Sequence, residues 1–246
     1  MEALVIGAVT LISGAFRGVT GFGYALMAAS GLVGSFSPIM IVPFILINDL
    51  ILTAFTIVDR GRSPVDWPVT RLLLVSGLAG AACGSLSLGL IDDQVARILV
   101  SIVIVVAAGV ALIHHPPVWL AHRAFGLLLG FVVGYLLSLF GVGGPLVAAW
   151  LLAGGSRSEA VRGTLAVYFG VIDVFTLASR FYLGAVPDEL FRMLLIYCPL
   201  TFLGFIGGYI VANRLPASAW RRTASGGLVL IALIGLAQAI YSMSAI

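Results

Sequence analysis

Phe140-Gly141-Val142-Gly143-Gly144-Pro145 interrupts an apolar stretch, residues 124–154, that is too long for a single membrane crossing. Arg17-Gly18-Val19-Thr20-Gly21-Phe22-Gly23 interrupts a second such stretch, residues 3–35, in the same way. Clustered glycines end a helix because they gain the most backbone freedom by leaving it. At membrane depth, backbone can leave the helical ladder only where protein buries it or a wet cavity hydrates it. Two such breaks, one in each half of a chain, therefore predict paired helical hairpins around a transport site.

The rest of the sequence agrees with a membrane reading. Of the 246 residues, 61% are hydrophobic and only 9% charged, with a mean hydropathy of +1.17. A soluble domain carries roughly a quarter charged residues, so this chain cannot clothe itself in water. Six further apolar stretches are long enough to cross, at about 39–58, 68–90, 95–113, 164–182, 190–211 and 223–242. The positive charge is all arginine and sits mostly between the spans, where it sets orientation rather than binding nucleic acid. Cys83 and Cys198 lie inside apolar segments and read as small hydrophobes. Glu2 stands where a signal peptide would be basic, so the first apolar segment is expected to belong to the working protein.

The second half also repeats the first. Gly18 and Gly21 fall on Gly141 and Gly144 at an offset of 123; Asp49 falls on Asp173 at 124, as Gly80 and Gly84 do on Gly204 and Gly208. The expected repeats are about 1–118 and 119–246, within a single transmembrane domain spanning 1–246. If each broken region returns to its starting face, one face collects Arg60, Arg62, Arg71, Arg123, Arg157, Arg162, Arg214, Arg221 and Arg222. The other holds Arg97 and Arg192 among Glu2, Asp92, Asp93, Asp188 and Glu189. If each region crosses once, the arginines divide almost evenly. Positive residues gather on the cytoplasmic side, so the first arrangement is preferred and both termini are expected outside. The fold class is an all-α polytopic membrane protein. It has two inverted repeats, each a glycine-broken helical hairpin plus three full transmembrane helices.

A helix starting after each glycine cluster exposes free N–H groups and the positive end of its dipole. The expected substrate site therefore comprises Arg17, Thr20, Gly21, Phe22, Gly23, Tyr24, Gly141, Gly143, Gly144 and Tyr168. It holds a small anion between the two breaks near the midplane. Arg17 is the only full charge next to either cluster in sequence; its fork suits a sulfonate, sulfite or carboxylate. It equally suits an orienting role at a hairpin turn. Asn48, Asp49, Asp173 and Arg180 form the second group. Carboxylates at that depth are protonated, paired with arginine, or part of an ion path. Arg17 with Asp49 and Asp173 with Arg180 are the pairs to expect. Gly80-x-x-x-Gly84 and Gly204-x-x-x-Gly208 suit close helix crossings.

Other chemistries find no support. The glycine clusters lack the lysine of a phosphate-binding loop, and no H-E-x-x-H is present. His114 and His115 are adjacent, not helically spaced for a metal. No enzymatic activity, metal or cofactor is expected; the partners are a small anion and membrane lipid, with no nucleic acid, and a homodimer is allowed. Gly18-Val19-Thr20-Gly21-Phe22-Gly23 and Phe140-Gly141-Val142-Gly143-Gly144-Pro145, in their positions, resemble the TauE/SafE family of sulfite exporters. That resemblance implies movement, most simply export, of sulfite or an organosulfonate such as sulfoacetate across the cytoplasmic membrane. A transporter of another small anion, a membrane assembly subunit using its small-residue faces, and an unrecognised intramembrane enzyme are the alternatives.

Overall fold

The structure is a computed structural model that describes residues 2–21, 23–32, 36, 38–59, 64–91, 122–154 and 158–212, with a few isolated positions beyond them. Among the described residues it is all helical. The first half supplies α1 (Glu2–Thr20), α2 (Tyr24–Leu32), α3 (Pro38–Asp59) and α4 (Trp67–Leu86). The second supplies α5 (Arg123–Phe140), α6 (Gly144–Ala153), α7 (Ser158–Tyr182) and α8 (Leu190–Ala212). Helices α1, α4, α5, α7 and α8 are each long and apolar enough to cross a membrane, and Ile41–Ile57 forms a shorter apolar helix within α3. The expected crossings at 39–58, 68–90, 164–182 and 190–211 fall on α3, α4, α7 and α8, with α7 starting earlier than read, at Ser158. The expected crossings at 95–113 and 223–242 lie almost wholly outside the described residues.

Much of the surface is apolar, while four charged side chains of the helices are buried. Leu4, Val75 and Leu195 are 70–81% exposed, whereas Arg17, Asp49, Asp173 and Arg180 are each at most 6% exposed. That inversion is stable only in a lipid solvent.

Both glycine breaks are hairpin turns. A Cβ on Gly23 would come within 2.8 Å of the Phe16 ring, and one on Gly31 within 2.6 Å of Val9, so α2 runs back along α1. A Cβ on Gly126 would meet Trp150 at 2.7 Å, so α6 returns along α5. With nine and ten residues, α2 and α6 are about 14–15 Å long, half the hydrocarbon thickness. Each broken region therefore pairs a long first arm with a half-length arm that turns back along it.

The turns use one device. Gly21 (φ 84°) and Gly141 (φ 68°) are left-handed, and their N–H groups donate to Arg17 O at 2.8 Å and Leu137 O at 2.9 Å. A side chain in that conformation costs roughly 1–2 kcal/mol. The structural counterpart of Gly141 is thus Gly21, an offset of 120, and not Gly18 as the sequence alignment had it. Gly18 lies inside α1, where a Cβ would strike the backbone of Phe205 and Tyr209 on α8.

Glycines set the main helix pairs. A Cβ on Gly204 or Gly208 of α8 would collide with the carbonyls of Leu11 or Ala15 on α1; one on Gly80 or Gly84 of α4 would collide with those of Phe131 or Tyr135 on α5. Backbones this close maximise dispersion contact, which drives helix association in lipid. The numbering rises together in both pairs, so each runs parallel. Between them α3 and α7 cross antiparallel, with Gly170 facing the Thr53 methyl at 3.5 Å from its would-be Cβ.

This crossing corrects the expected level of the breaks. Gly21 shares a cavity with Thr56 and Ile57, near the end of α3. Gly141 faces Val42 and Ile45, near its start. Some 13 residues of α3 separate the two, roughly 20 Å at 1.5 Å per residue. The breaks therefore sit towards opposite ends of the helix bundle, not at a common level.

Candidate functional site

The first break opens into a cavity of about 130 Å³. Arg17, Gly18 and Gly21 line it from α1 and its turn, Thr56 and Ile57 from α3, and Arg162 with Gly163 from the first turns of α7. Phe205 and Tyr209 of α8 close its apolar side. Drug-sized ligand pockets run to about 300–1,000 Å³, so this one has room for an ion of a few heavy atoms.

Arg17 is 2% exposed. Its Nη2 donates to Thr53 Oγ1 at 2.6 Å, and its Nε lies 3.7 Å from Asp49 Oδ1. The expected pair of Arg17 with Asp49 is therefore present, across α1 and α3, and Arg17 also lines the cavity. Arg162 was counted from sequence only as an orienting charge, yet its side chain lies 3.4–3.5 Å from where a Cβ on Gly21 would stand. Arg17 is thus not alone beside the first break. Nothing local in the sequence signals this: Arg162 is 141 positions from Gly21, and only the docking of α7 brings it there.

The second break is furnished differently. Arg180 is fully buried, and its Nη2 donates to Ser138 O at 2.8 Å and Leu139 O at 3.0 Å. Those carbonyls end α5 and have no partners within the helix, so a cation there offsets both them and the helix dipole. The expected pair of Asp173 with Arg180 is absent among the described contacts. The two residues stand seven apart on one helix, roughly 10 Å along its axis, and Arg180 is already engaged at the α5 terminus.

The remaining expected residues are held by structural hydrogen bonds or sit elsewhere. Thr20 Oγ1 donates to Phe16 O at 2.8 Å, and Asn48 Nδ2 to Phe44 O at 2.8 Å, both within their own helices. Tyr24 Oη lies 3.3 Å from Thr201 Oγ1, and Tyr168 Oη donates to Gly130 O at 3.1 Å. Gly23 packs on Phe16, Gly143 on Val133 and Gly144 on Phe169. Phe22 lies outside the described residues. Of the ten residues expected to bind substrate, Arg17 and Gly21 line the cavity, and Gly141, Gly143 and Gly144 lie at the other end of the bundle.

Crossing helices with two glycine-broken hairpins, a small arginine-lined cavity at one hairpin turn and buried charges define a polytopic membrane transporter. The chain matches the sulfite exporter TauE/SafE family over residues 6–235 and belongs to it. It is also 27% identical, over 165 residues, to the probable inner membrane transporter protein TsaS of Comamonas testosteroni; the match spans 64% of this chain and 67% of that protein. No solved structure matches it. Family and relative agree with several apolar helices in making this a multi-pass protein of the inner membrane.

Proposed function

We propose that the protein moves a small sulfur-containing anion, sulfite or an organosulfonate such as sulfoacetate, across the inner membrane in the direction of export. The observation that carries this reading is the small cavity at the first break, lined by Arg17 and Arg162 on either side of the Gly21 turn. Planar forks with several N–H donors match the oxygens of a sulfite or sulfonate group. The family supports the substrate class.

The frame we infer is a pair of inverted repeats, about 1–118 and 119–246, with both termini outside. Its support is the exchange of partners between the helix pairs: Gly14 abuts Thr201 as Gly134 abuts Gly77, and Gly204 abuts Leu11 as Gly80 abuts Phe131. The offsets are 120 within the hairpins and 124 within the long helices. In such a frame the first break serves the arginine-rich face. The second break, with Gly141, Gly143, Gly144 and Arg180, serves the opposite face in the alternate state. Arg180 keeps Nε and Nη1 buried and without a hydrogen-bond partner among the described residues, as a second anion station requires.

Sulfite binding to the purified protein tests the assignment. Loss of a charged hydrogen bond is worth about 1.5–3 kcal/mol, so Arg162→Gln should weaken binding roughly tenfold to a hundredfold. Its thermal unfolding should stay at the wild-type temperature, because Arg162 is only half-buried. Wild-type affinity in Arg162→Gln would remove the site from this cavity. A counterflow panel of sulfite, sulfoacetate, taurine, sulfate and simple carboxylates then ranks the substrates.

A further inference from the structure

Anion binding leaves one buried group unused. Asp173 is 1% exposed, and neither of its carboxylate oxygens meets a hydrogen-bond donor among the described residues. Thr176, three residues along α7 and fully buried, has its hydroxyl in the same condition, as does the side-chain oxygen of fully buried Asn48 on α3. The antiparallel register sets α3 and α7 side by side at this level. Gly170 faces Thr53, so Asp173, three residues further along α7, stands level with Asp49, four residues back along α3. The two arginines nearest in space or sequence are committed elsewhere, Arg17 to Asp49 and Thr53, and Arg180 to the Ser138 and Leu139 carbonyls.

We propose that Asp173 is a proton-binding site at the centre of the protein, so that anion movement is coupled to a proton. An ionised carboxylate buried without donors bears a large desolvation penalty, which a single proton on one oxygen removes. A proton on that oxygen neutralises the acid where the described residues bring it no donor, and its release to water restores the anion. A metal cation fits less well. Hard cations want about six oxygens, and continuous helices supply them only from side chains, since α3 and α7 keep their carbonyls in the helical ladder here. Among the described residues no group of three or more His, Cys, Asp or Glu side chains gathers to hold a metal.

The site has few titrating neighbours among the described residues. Asp49 faces it from α3, with Arg17 of α1 behind, and Tyr168 and Arg180 share its helix. Of the other helices packed on α7, α4 offers only Arg71 and Cys83, both exposed, α5 offers exposed Arg123 and half-buried Tyr135, and α6 carries none. The central position, between a break at either end, lets one carboxyl respond to both. This inference needs a transporter but not the anion station at Arg17 and Arg162, and it is tested separately.

Infrared spectra of the full-length protein in liposomes should show, at neutral pH, the carbonyl stretch of a protonated carboxyl. That band should vanish in Asp173→Asn and persist in Asp49→Asn. Asn is isosteric with the protonated acid, so Asp173→Asn should unfold at the wild-type temperature. It should also retain sulfite counterflow while losing at least tenfold of the sulfite accumulation driven by a pH gradient. The proposal fails if the band is missing from the wild type or survives in Asp173→Asn. It fails equally if gradient-driven accumulation survives the substitution, or if wild-type uptake follows a sodium gradient at fixed pH. Absence of any sulfite transport by the wild type would sink the anion assignment and leave the infrared result to decide this one.

Discussion

At the scale of single residues, Arg17 has two roles that one substitution confounds. It pairs with Asp49 inside the bundle and lines the cavity. Removing one partner of a buried ion pair typically costs about 3–5 kcal/mol, because the other charge is left uncompensated. Arg17→Leu should therefore both lower the thermal unfolding temperature and abolish sulfite binding. Combining it with Asp49→Asn removes the stranded charge, so the double variant should recover most of the stability and none of the affinity. Arg17→Lys should recover affinity only in part, since it keeps the charge and loses the planar fork. Recovery of sulfite affinity in the double variant would mean that Arg17 only holds the fold. Both members of this pair were legible in the sequence, because a charge in a 20-residue apolar run demands an explanation. The partner of Arg180 was not: carbonyls at a helix end leave no mark on residue identity.

At the scale of elements, close approach is what the glycines supply, and its consequences differ sharply by position. At Gly80 and Gly204 a Cβ would be driven into the backbone of the neighbouring helix, which cannot rotate away as a side chain would. Gly80→Ala and Gly204→Ala should each destabilise the protein by about 1–3 kcal/mol, as overpacking does. Gly207, on the same helix as Gly204, has nothing within 4 Å of its would-be Cβ. Gly207→Ala should therefore be neutral or stabilise by up to about 1 kcal/mol, through the ordinary helix preference for alanine. Thermal unfolding of the three variants checks this, and equal losses at all three positions would show that helix propensity, not interhelical contact, decides. The hairpins and long helices were readable from hydropathy and glycine clustering. The offset between the hairpins was misread by three residues, because Gly18 and Gly21 look alike on paper. Only the helix that continues through Val19 and Thr20 separates a packing glycine from a turn glycine. The same limit hid the level of the breaks, which depends on how each hairpin packs along α3.

At the scale of the whole molecule, the geometry of α7 allows a direct test of how the chain sits in the membrane. The loop before α4 and the start of α7 lie at one end of the bundle. Asp66 donates its N–H to Thr164 Oγ1 at 3.1 Å, and Val65 shares the cavity wall with Arg162. Asp188 follows the opposite end of α7, a helix of 25 residues and so about 37 Å long, enough to cover the hydrocarbon with a turn to spare. Among the described residues Arg71, Arg123, Arg162 and Arg214 lie at helix ends on the Val65 side, and the cytoplasmic side attracts arginine. A cysteine introduced at position 188, in a background of Cys83→Ser and Cys198→Ser, should then react with a membrane-impermeant maleimide in intact cells. One at position 62 should react only after permeabilisation. Labelling of both from the same side would break the assignment of α7 as a full crossing, and labelling of 62 alone from outside would invert the protein. In that inverted case the Arg17 cavity would open outward, and the proposed direction of transport would have to be argued again from the second break.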